Sequence, residues 1–138
     1  MKLQIYSKNH TSDLLGNVQS AEVEELSSAQ VPNDSLSEII VDNTLSFTDQ
    51  DHAKACLAFC RDKLRLGGEL IIIDIDITSM CRNVFSKKLS VENFNKMIKN
   101  RINIHDAFSV KSFFMSGNII VESLVFNNET YTIKFQKI

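Results

Sequence analysis

The segment from Glu69 to Asp76 constrains the fold of this chain more than any other part of the sequence. It contains four consecutive large aliphatic residues, Leu70-Ile71-Ile72-Ile73, and this run stops at Asp74. A short apolar run rich in β-branched residues predicts a strand that is buried on both faces, as in a parallel sheet. Because a helix that crosses a bilayer needs ~20 apolar residues, we predict no membrane span here.

A helix and a second strand precede this segment. The β-branched run Glu38-Ile39-Ile40-Val41-Asp42 predicts another buried strand. Between the two strands, apolar residues recur at helical spacing and predict a helix to about Leu66: Ala53, Cys56, Leu57, Cys60 and Leu64. We predict Thr48 as its N-cap, with Asp51 in the reciprocal position, and Gly67-Gly68 as its C-terminal stop. This order predicts a right-handed crossover between parallel strands.

Shorter elements lie on the N-terminal side of this unit. Apolar alternation and turn residues predict, in chain order, a strand over residues 1–6, a polar loop over 7–20, a brief strand over 21–26 and a turn over 27–37. Pro32 and the residues after it are typical of such a turn.

Two helices and a hairpin are predicted on the C-terminal side. Ser90 is the predicted N-cap of a helix to about Asn100, with Phe94 and Ile98 facing inward. Residues 104–115 predict a third short helix. The last two segments, 118–126 and 130–138, predict antiparallel strands around the Asn127-Asn128 turn.

Composition narrows the class of protein. The chain has 138 residues, 43% hydrophobic and 23% charged, which predicts a single globular domain over residues 1–138. Its net charge of −2 provides no dominant electrostatic footprint for nucleic acid or an anionic membrane. The odd number of cysteines and the absence of a signal-peptide pattern predict reduced thiols and a cytoplasmic location.

The order of these elements resembles the class I S-adenosylmethionine-dependent methyltransferases. Leu45 matches the leucine of their "vLEH" segment, and the closing hairpin resembles their antiparallel sixth and seventh strands. Two longer stretches resemble the "lPfpdnsfDeI" and "LkPGGxl" segments before their fourth and fifth strands: Val31-Pro32-Asn33-Asp34-Ser35-Leu36-Ser37-Glu38-Ile39 and Leu64-Arg65-Leu66-Gly67-Gly68-Glu69-Leu70. The resemblance covers residues 21–138 and, more loosely, 1–6. It implies a shortened Rossmann-like α/β sheet that ends in an antiparallel hairpin.

The first half of the chain departs from that family. A glycine-rich loop follows the family's first strand, because a Cβ there would collide with the cofactor, but this chain has Tyr6-Ser7-Lys8 at that place. The resemblance also implies an acidic residue for the ribose hydroxyls at the end of the second strand. Only about 20 residues separate Tyr6 from Leu26, so we infer that one strand-helix unit is missing or shrunken. Ser46 and Phe47 replace the Glu-His pair, and Leu66 replaces the proline before the glycine pair.

The candidate site residues lie at the ends of the predicted strands. Open α/β sheets bind ligands at the carboxyl edge, where the sequence places Asp42, Asn43, Asp74 and Asp76. The alternative for these carboxylates is a solvated or helix-capping role. If S-adenosylmethionine binds, we expect it to contact the following residues: Tyr6, Ser7, Lys8, Asp42 and Asn43. The pattern identifies no catalytic residue.

Other groups have both a functional and a structural interpretation. His52, Cys56 and Cys60 share a helical face, but the outer two are ~12 Å apart along the axis, which favours buried thiols over a metal site. Phe113-Phe114-Met115 fits a partner-binding patch or a core segment. The spacing of His10, His52 and His105 suggests no catalytic triad. A basic stretch near Phe85 and Phe94 fits nucleic acid, an acidic protein or a solvated face: Lys87, Lys88, Lys96, Lys99 and Arg101.

The retained second half of the fold, beside the lost glycine loop, favours a non-catalytic methyltransferase-like domain. Such a domain would bind a protein partner or assemble with itself and would need no cofactor. One alternative is a minimal active methyltransferase that holds S-adenosylmethionine around residues 6–13, completed by a second chain. Another is an accessory protein that handles nucleic acid or sugar through the basic stretch, although the acidic chain argues against nucleic acid.

Overall fold

A six-stranded sheet forms the centre of the computed structural model, which describes residues 1–10, 16, 18–115 and 117–138. Its spatial order is β2-β1-β3-β4-β6-β5. Neighbours among β1 to β4 run parallel, whereas β6 is antiparallel to both β4 and β5. This confirms the predicted α/β class with a C-terminal hairpin. The strands are β1 (Lys2–Tyr6), β2 (Gln19–Glu22), β3 (Leu36–Asp42), β4 (Leu64–Ile75), β5 (Ile119–Asn127) and β6 (Thr130–Lys137).

Four α-helices connect the later strands. The first joins β3 to β4, and the other three lie between β4 and β5. They are α1 (Gln50–Lys63), α2 (Ile77–Phe85), α3 (Val91–Ile98) and α4 (Ala107–Phe113). Two 3₁₀ helices, Val23–Ser28 and Leu45–Phe47, follow β2 and β3. No helix in the described part of the chain is long and apolar enough to cross a membrane.

The predicted ends of α1 were wrong by a few residues. Its N-cap is Asp49, whose side chain accepts a hydrogen bond from the His52 backbone N–H. Thr48 instead donates from its hydroxyl to the Thr44 carbonyl at 2.8 Å and closes the preceding turn. The helix ends at Lys63, and β4 begins at the next residue. Gly67 and Gly68 therefore lie inside β4, where the register with β3 is irregular.

Other segments also differ from the prediction. The brief strand expected over residues 21–26 occurs at Gln19–Glu22, and Val23 begins a 3₁₀ helix. Val23 and Leu26 are both buried, and their three-residue spacing fits the 3₁₀ repeat. Helix α2 was not predicted, and α4 is shorter than predicted. The hairpin is confirmed, but its two-residue turn is Asn128-Glu129, one residue later than predicted, with Asn128 at a φ of 55°.

Two apolar clusters support the sheet. The larger one lies between the sheet and helices α1 and α4, and its fully buried members include Ile39, Ile72 and Phe135. The smaller one lies at the carboxyl end of β4 and contains Ile75, Met80 and Leu89. Phe94 and Ile98 of α3 lie partly buried against the smaller cluster, which confirms their predicted inward orientation. Ser90 caps α3 as predicted.

Candidate functional site

The carboxyl ends of β1, β3 and β4 meet at one edge of the sheet, because these strands are adjacent and parallel. The candidate carboxylates Asp42 and Asp74 both lie at this edge and are close enough for their charges to interact. The backbone N–H of Asn43 donates to the carbonyl of Ile73 at 2.8 Å and ties the two strand ends together. The predicted convergence of these residues is therefore present.

The turn after β1 is closed by a carboxylate that the sequence analysis did not identify. Ser7 is fully buried, and its hydroxyl donates to Glu24 Oε1 at 2.9 Å. The backbone N–H of Lys8 points at Glu24 Oε2 at 3.4 Å, and that of His10 donates to the Ser7 carbonyl at 3.1 Å. Glu24 stands just beyond the end of β2. An acidic residue two positions after a strand was the available signal, but the strand was predicted too late in the chain to reveal it.

The end of β3 turns sharply into the segment after it. Asn43 has a φ of 48°, a left-handed conformation that asparagine tolerates better than most residues. This turn carries Thr44 back toward β1, where its hydroxyl lies 3.0 Å from the carbonyl of Ile5 and 3.0 Å from that of Asp42. Asn43 therefore shapes the backbone turn at the carboxyl end of β3.

Asp42 has an unusual environment at this edge. Its side chain is half-buried, and no described residue donates a hydrogen bond to its carboxylate. Burial raises the pKa of Asp42 above its ordinary value of 3.8, the charge of Asp74 raises it further, and His10 lowers it. Asp42 is therefore a polar group whose ionised form the fold does not favour.

Replacing Asp42 with asparagine is expected to raise the melting temperature at pH 7. Because its pKa is raised in the folded chain, ionisation of Asp42 opposes folding as the pH rises through the folded pKa. The advantage of the variant should be absent below about pH 4, where the carboxyl is protonated in both states. Melting curves of both proteins across this range test the expectation. An equal or lower melting temperature for D42N at pH 7 would contradict it.

Asp74 is the centre of a buried polar cluster. Its side chain is fully buried. It accepts hydrogen bonds from the Ser46 backbone N–H at 2.9 Å, the Ser46 hydroxyl at 2.7 Å and the Ile75 backbone N–H at 2.8 Å. A guanidinium nitrogen of Arg101 lies 3.2 Å from the same carboxylate. Asp74 is thus fully committed to internal partners.

Arg101 reaches this cluster from the segment after α3. Its side chain is 11% exposed, its Nε donates to the Met97 carbonyl at 2.7 Å, and its Nη1 donates to the Ser46 hydroxyl. Burial lowers the pKa of Arg101, and the charge of Asp74 opposes that shift. The inclusion of Arg101 in a surface basic stretch was therefore wrong, since a buried carboxylate binds it.

An aromatic side chain joins Arg101 to the turn after β1. The Arg101 guanidinium lies 4.4 Å from the ring centroid of Phe47. His10 stacks on the same ring at 4.3 Å with an interplanar angle of 7°, and the Asn9 side chain donates to the Phe47 carbonyl at 3.1 Å. A continuous set of side chains therefore bridges the ends of β1, β3 and β4; we call it the edge cluster: Asn9, His10, Ser46, Phe47, Asp74 and Arg101.

Asp76 has a structural role. One carboxylate oxygen accepts from the backbone N–H of Ser79 at 2.8 Å and from its hydroxyl at 2.7 Å, which caps α2. The other accepts from the Ala107 N–H at 2.8 Å at the start of α4. The helix-capping interpretation of Asp76 is therefore confirmed.

A histidine-tyrosine pair lies near the edge cluster. Tyr131 is fully buried, and its hydroxyl is 2.6 Å from His105 Nε2, while His105 Nδ1 is 3.1 Å from the Asn103 carbonyl. Because a carbonyl only accepts, Nδ1 carries the proton and the tyrosine donates to Nε2 when the ring is neutral. Burial raises the pKa of Tyr131 well above its usual value, and nearby carboxylates raise it further. His105 also lines a cleft of about 420 Å³ between α1 and α4.

The remaining sequence candidates are structural or exposed. Cys56 and Cys60 are fully buried, and the hydrogen bond between them, followed by burial, raises the pKa of Cys60 well above its usual value. His52 is exposed and contacts Asp49, away from both thiols. Among the described residues, no three histidine, cysteine or acidic side chains are placed to hold a metal ion. In the aromatic segment, Phe114 is buried.

Comparison with known proteins identifies the fold. No protein-family model matches the chain, and no curated protein sequence matches it. Solved structures do match over 88% of this chain. An O-methyltransferase family protein from Burkholderia thailandensis aligns with a TM-score of 0.63 and 13% identity. S-adenosylmethionine-dependent methyltransferases from Thermotoga maritima and Archaeoglobus fulgidus align with TM-scores of 0.60 and 0.59 and identities of 14% and 12%.

The chain has a methyltransferase-like fold. This confirms the resemblance drawn from the sequence motifs. The chain spans 36%, 64% and 69% of the lengths of those three proteins. At such low identities the similarity concerns the fold alone.

Proposed function

We propose that this methyltransferase-like domain is non-catalytic and acts by binding a protein, either another chain or a second copy of itself. The observation that carries this proposal is the edge cluster. At the edge where open α/β sheets bind ligands, the side chains of Phe47, Asp74 and Arg101 bind one another. Their polar atoms are satisfied within the chain, so a ligand entering there would have to break these contacts.

The residues after β1 do not fit S-adenosylmethionine. In the class I methyltransferases that the chain resembles, glycines at this place let the backbone approach the cofactor. Here Tyr6, Ser7 and Lys8 carry side chains, and Ser7 is fully buried. The carboxylate just beyond β2, which would suit ribose hydroxyls, already accepts the Ser7 hydroxyl and faces the Lys8 N–H. The internal pairing of Glu24 thus supports a domain without this cofactor.

A minimal active methyltransferase remains the second candidate, because two carboxylates favour it. Asp42 is half-buried without a described hydrogen-bond donor. Glu22 ends β2 and pairs in register with Tyr6, next to the candidate loop. In this alternative, these groups would contact the ligand and a second chain would complete the site.

We propose a cytoplasmic location for the domain because of its thiols. All three cysteines are free, and Cys56 and Cys60 lie side by side in the core without a disulfide. Unbonded thiols are typical of a reducing compartment.

Differential scanning fluorimetry with S-adenosylmethionine and S-adenosylhomocysteine tests the proposal. We expect no change in melting temperature at ~1 mM of either ligand, a concentration that would stabilise the fold measurably if the dissociation constant were micromolar. D42N and Glu24→Gln serve as matched controls. A shift in the wild type that either variant abolishes would support the minimal methyltransferase and contradict our proposal.

A further inference from the structure

An apolar cleft lies between α2 and α3, on the far side of the smaller core cluster. Its volume is about 350 Å³, and α2 contributes Cys81, Val84 and Phe85 while α3 contributes Val91, Phe94 and Asn95. Phe85 is 92% exposed and Val91 is 64% exposed. Adjacent large apolar side chains exposed to this extent are typical of an interaction surface.

The two helices that line this cleft, and the turn that joins them, carry an excess of basic side chains. Residues 77–100 contain five basic side chains and a single acidic one, Glu92, although the whole chain has a net charge of −2. All five are exposed, and among the described residues only Lys96 forms an ion pair, with Glu92 at 3.3 Å. The basic residues are Arg82, Lys87, Lys88, Lys96 and Lys99. The charge of the α2–α3 segment is therefore opposite to that of the rest of the protein.

The turn at one end of the cleft is fixed by its own backbone. Lys87 has a φ of 63°, and its N–H donates to the Val84 carbonyl at 3.1 Å. The N–H groups of Lys88 and Leu89 both donate to the Asn83 carbonyl. The Asn83 side chain donates to Glu129 in the hairpin turn at 3.0 Å, which anchors α2 to the sheet. The backbone of the turn that carries the two lysines is thus fixed before any partner arrives, which lowers the ordering cost of binding.

We propose that the α2–α3 cleft binds an amphipathic helical segment of a partner protein, whose apolar face enters the cleft and whose acidic residues meet the exposed basic side chains of α2, α3 and their turn. An apolar helix face docked in a groove is a common recognition mode, and complementary charge at the rim speeds association and fixes orientation. Aliphatic Val84 and Val91 line the cleft beside a half-buried Phe94, which suits side chains better than stacked bases. This inference rests on the proposed protein-binding function and specifies its surface.

Selection from a displayed library of random 16-residue peptides against the full chain tests this inference. Enriched peptides should carry a net negative charge and apolar residues at positions i, i+3 and i+4. Phe85→Ser should weaken their binding about tenfold or more, as expected when a buried aromatic anchor is lost. The double variant Lys87→Glu/Lys88→Glu should weaken binding at low salt and have less effect at high salt. Met115→Ser, at another residue that is 78% exposed, should leave binding unchanged.

Cys81 provides an independent readout. It lines the cleft and is exposed, whereas the other two cysteines are buried. A bound peptide should therefore slow its alkylation by N-ethylmaleimide, an effect that Phe85→Ser removes. The inference is overturned if no peptide is enriched, if enriched peptides are basic, or if they bind without protecting Cys81. Binding of a 20-nucleotide oligothymidylate at the α2–α3 cleft would also overturn it, because the occupant would then be nucleic acid. So would loss of self-association in Phe85→Ser, because the occupant would then be a second copy of the chain.

The outcomes separate this inference from the proposed function. Peptide binding at the cleft together with S-adenosylhomocysteine binding at the carboxyl edge would retain the interaction surface and overturn the non-catalytic assignment. If neither ligand binds, the proposed peptide site at the cleft is overturned and the non-catalytic proposal stands.

Discussion

Replacing Asp74 with alanine is expected to destabilise the domain by about 3–5 kcal/mol, the range for breaking a buried ion pair by removing one partner. The substitution deprives two backbone N–H groups and the Ser46 hydroxyl of their acceptor and leaves Arg101 without its counter-charge. Urea denaturation monitored by circular dichroism measures the change in the free energy of unfolding.

The matched variant Arg101→Met should cost clearly less than the Asp74 substitution. Three hydrogen-bond donors still satisfy Asp74 when the arginine is removed, and methionine retains the apolar stem of the side chain. A double-mutant cycle between the two positions then isolates their coupling. Equal costs for the two single variants would contradict the predicted order, and a cost below about 1 kcal/mol for Asp74→Ala would show that the edge cluster contributes little to the fold.

Substituting Gly68 with alanine is expected to cost about 2–3 kcal/mol, the upper part of the range for overpacking. A Cβ at this position would lie 2.9 Å from the Arg65 carbonyl oxygen, 3.0 Å from that of Leu36 and 3.0 Å from the Leu64 side chain. Two of these neighbours are backbone atoms of paired strands, which cannot move without disturbing the β3–β4 register.

Gly67 offers the control in the adjacent position. A Cβ there would have no neighbour within 4 Å, but the residue has a φ of 73°. Gly67→Ala should therefore cost only about 1 kcal/mol, through backbone strain, and Gly67→Asn should recover part of it. Thermal or urea unfolding of the three variants measures which of them loses the most free energy of unfolding. A larger cost at Gly67 than at Gly68 would contradict the described geometry of β4.

The glycine pair also shows where sequence patterns were ambiguous. A glycine with positive φ serves equally at a helix C-terminus and within an irregular strand, and both uses fit the residues around Gly67. The choice depends on pairing with Leu36, far away in the chain. By contrast, the aliphatic runs of β3 and β4 and the hairpin turn at Asn128 were predictable because their signals are local.

The missed helix α2 had a readable pattern. Ile77, Met80, Cys81 and Val84 fall at i, i+3, i+4 and i+7, and Asp76 precedes them as an N-cap. A helix-capping role was considered for Asp76, but the apolar spacing after it was not recognised as the helix that it caps. The basic stretch after α2 was identified from the sequence. The apolar cleft beside it was not, because that cleft forms only when α2 and α3 lie side by side.

The location of the candidate site was predictable from the sequence, but the side-chain contacts within it were not. Asp42 and Asp74 were placed at one sheet edge because parallel strands end together. Arg101 lies 27 residues after Asp74 and 55 after Ser46, and no local pattern connects them. Its charge suggested a surface, whereas the chain folds it back onto a buried carboxylate.

The central claim is that the carboxyl edge is closed by the chain's own side chains and does not hold S-adenosylmethionine. An NMR titration of the ¹⁵N-labelled protein with S-adenosylhomocysteine tests this directly, because each backbone amide reports on its own surroundings. We predict that the amide signals of the candidate residues stay unchanged up to ~2 mM ligand: Tyr6, Ser7, Lys8, Asp42 and Asn43. Saturable shifts confined to these amides and to Glu24 would contradict the account and identify a functional cofactor site.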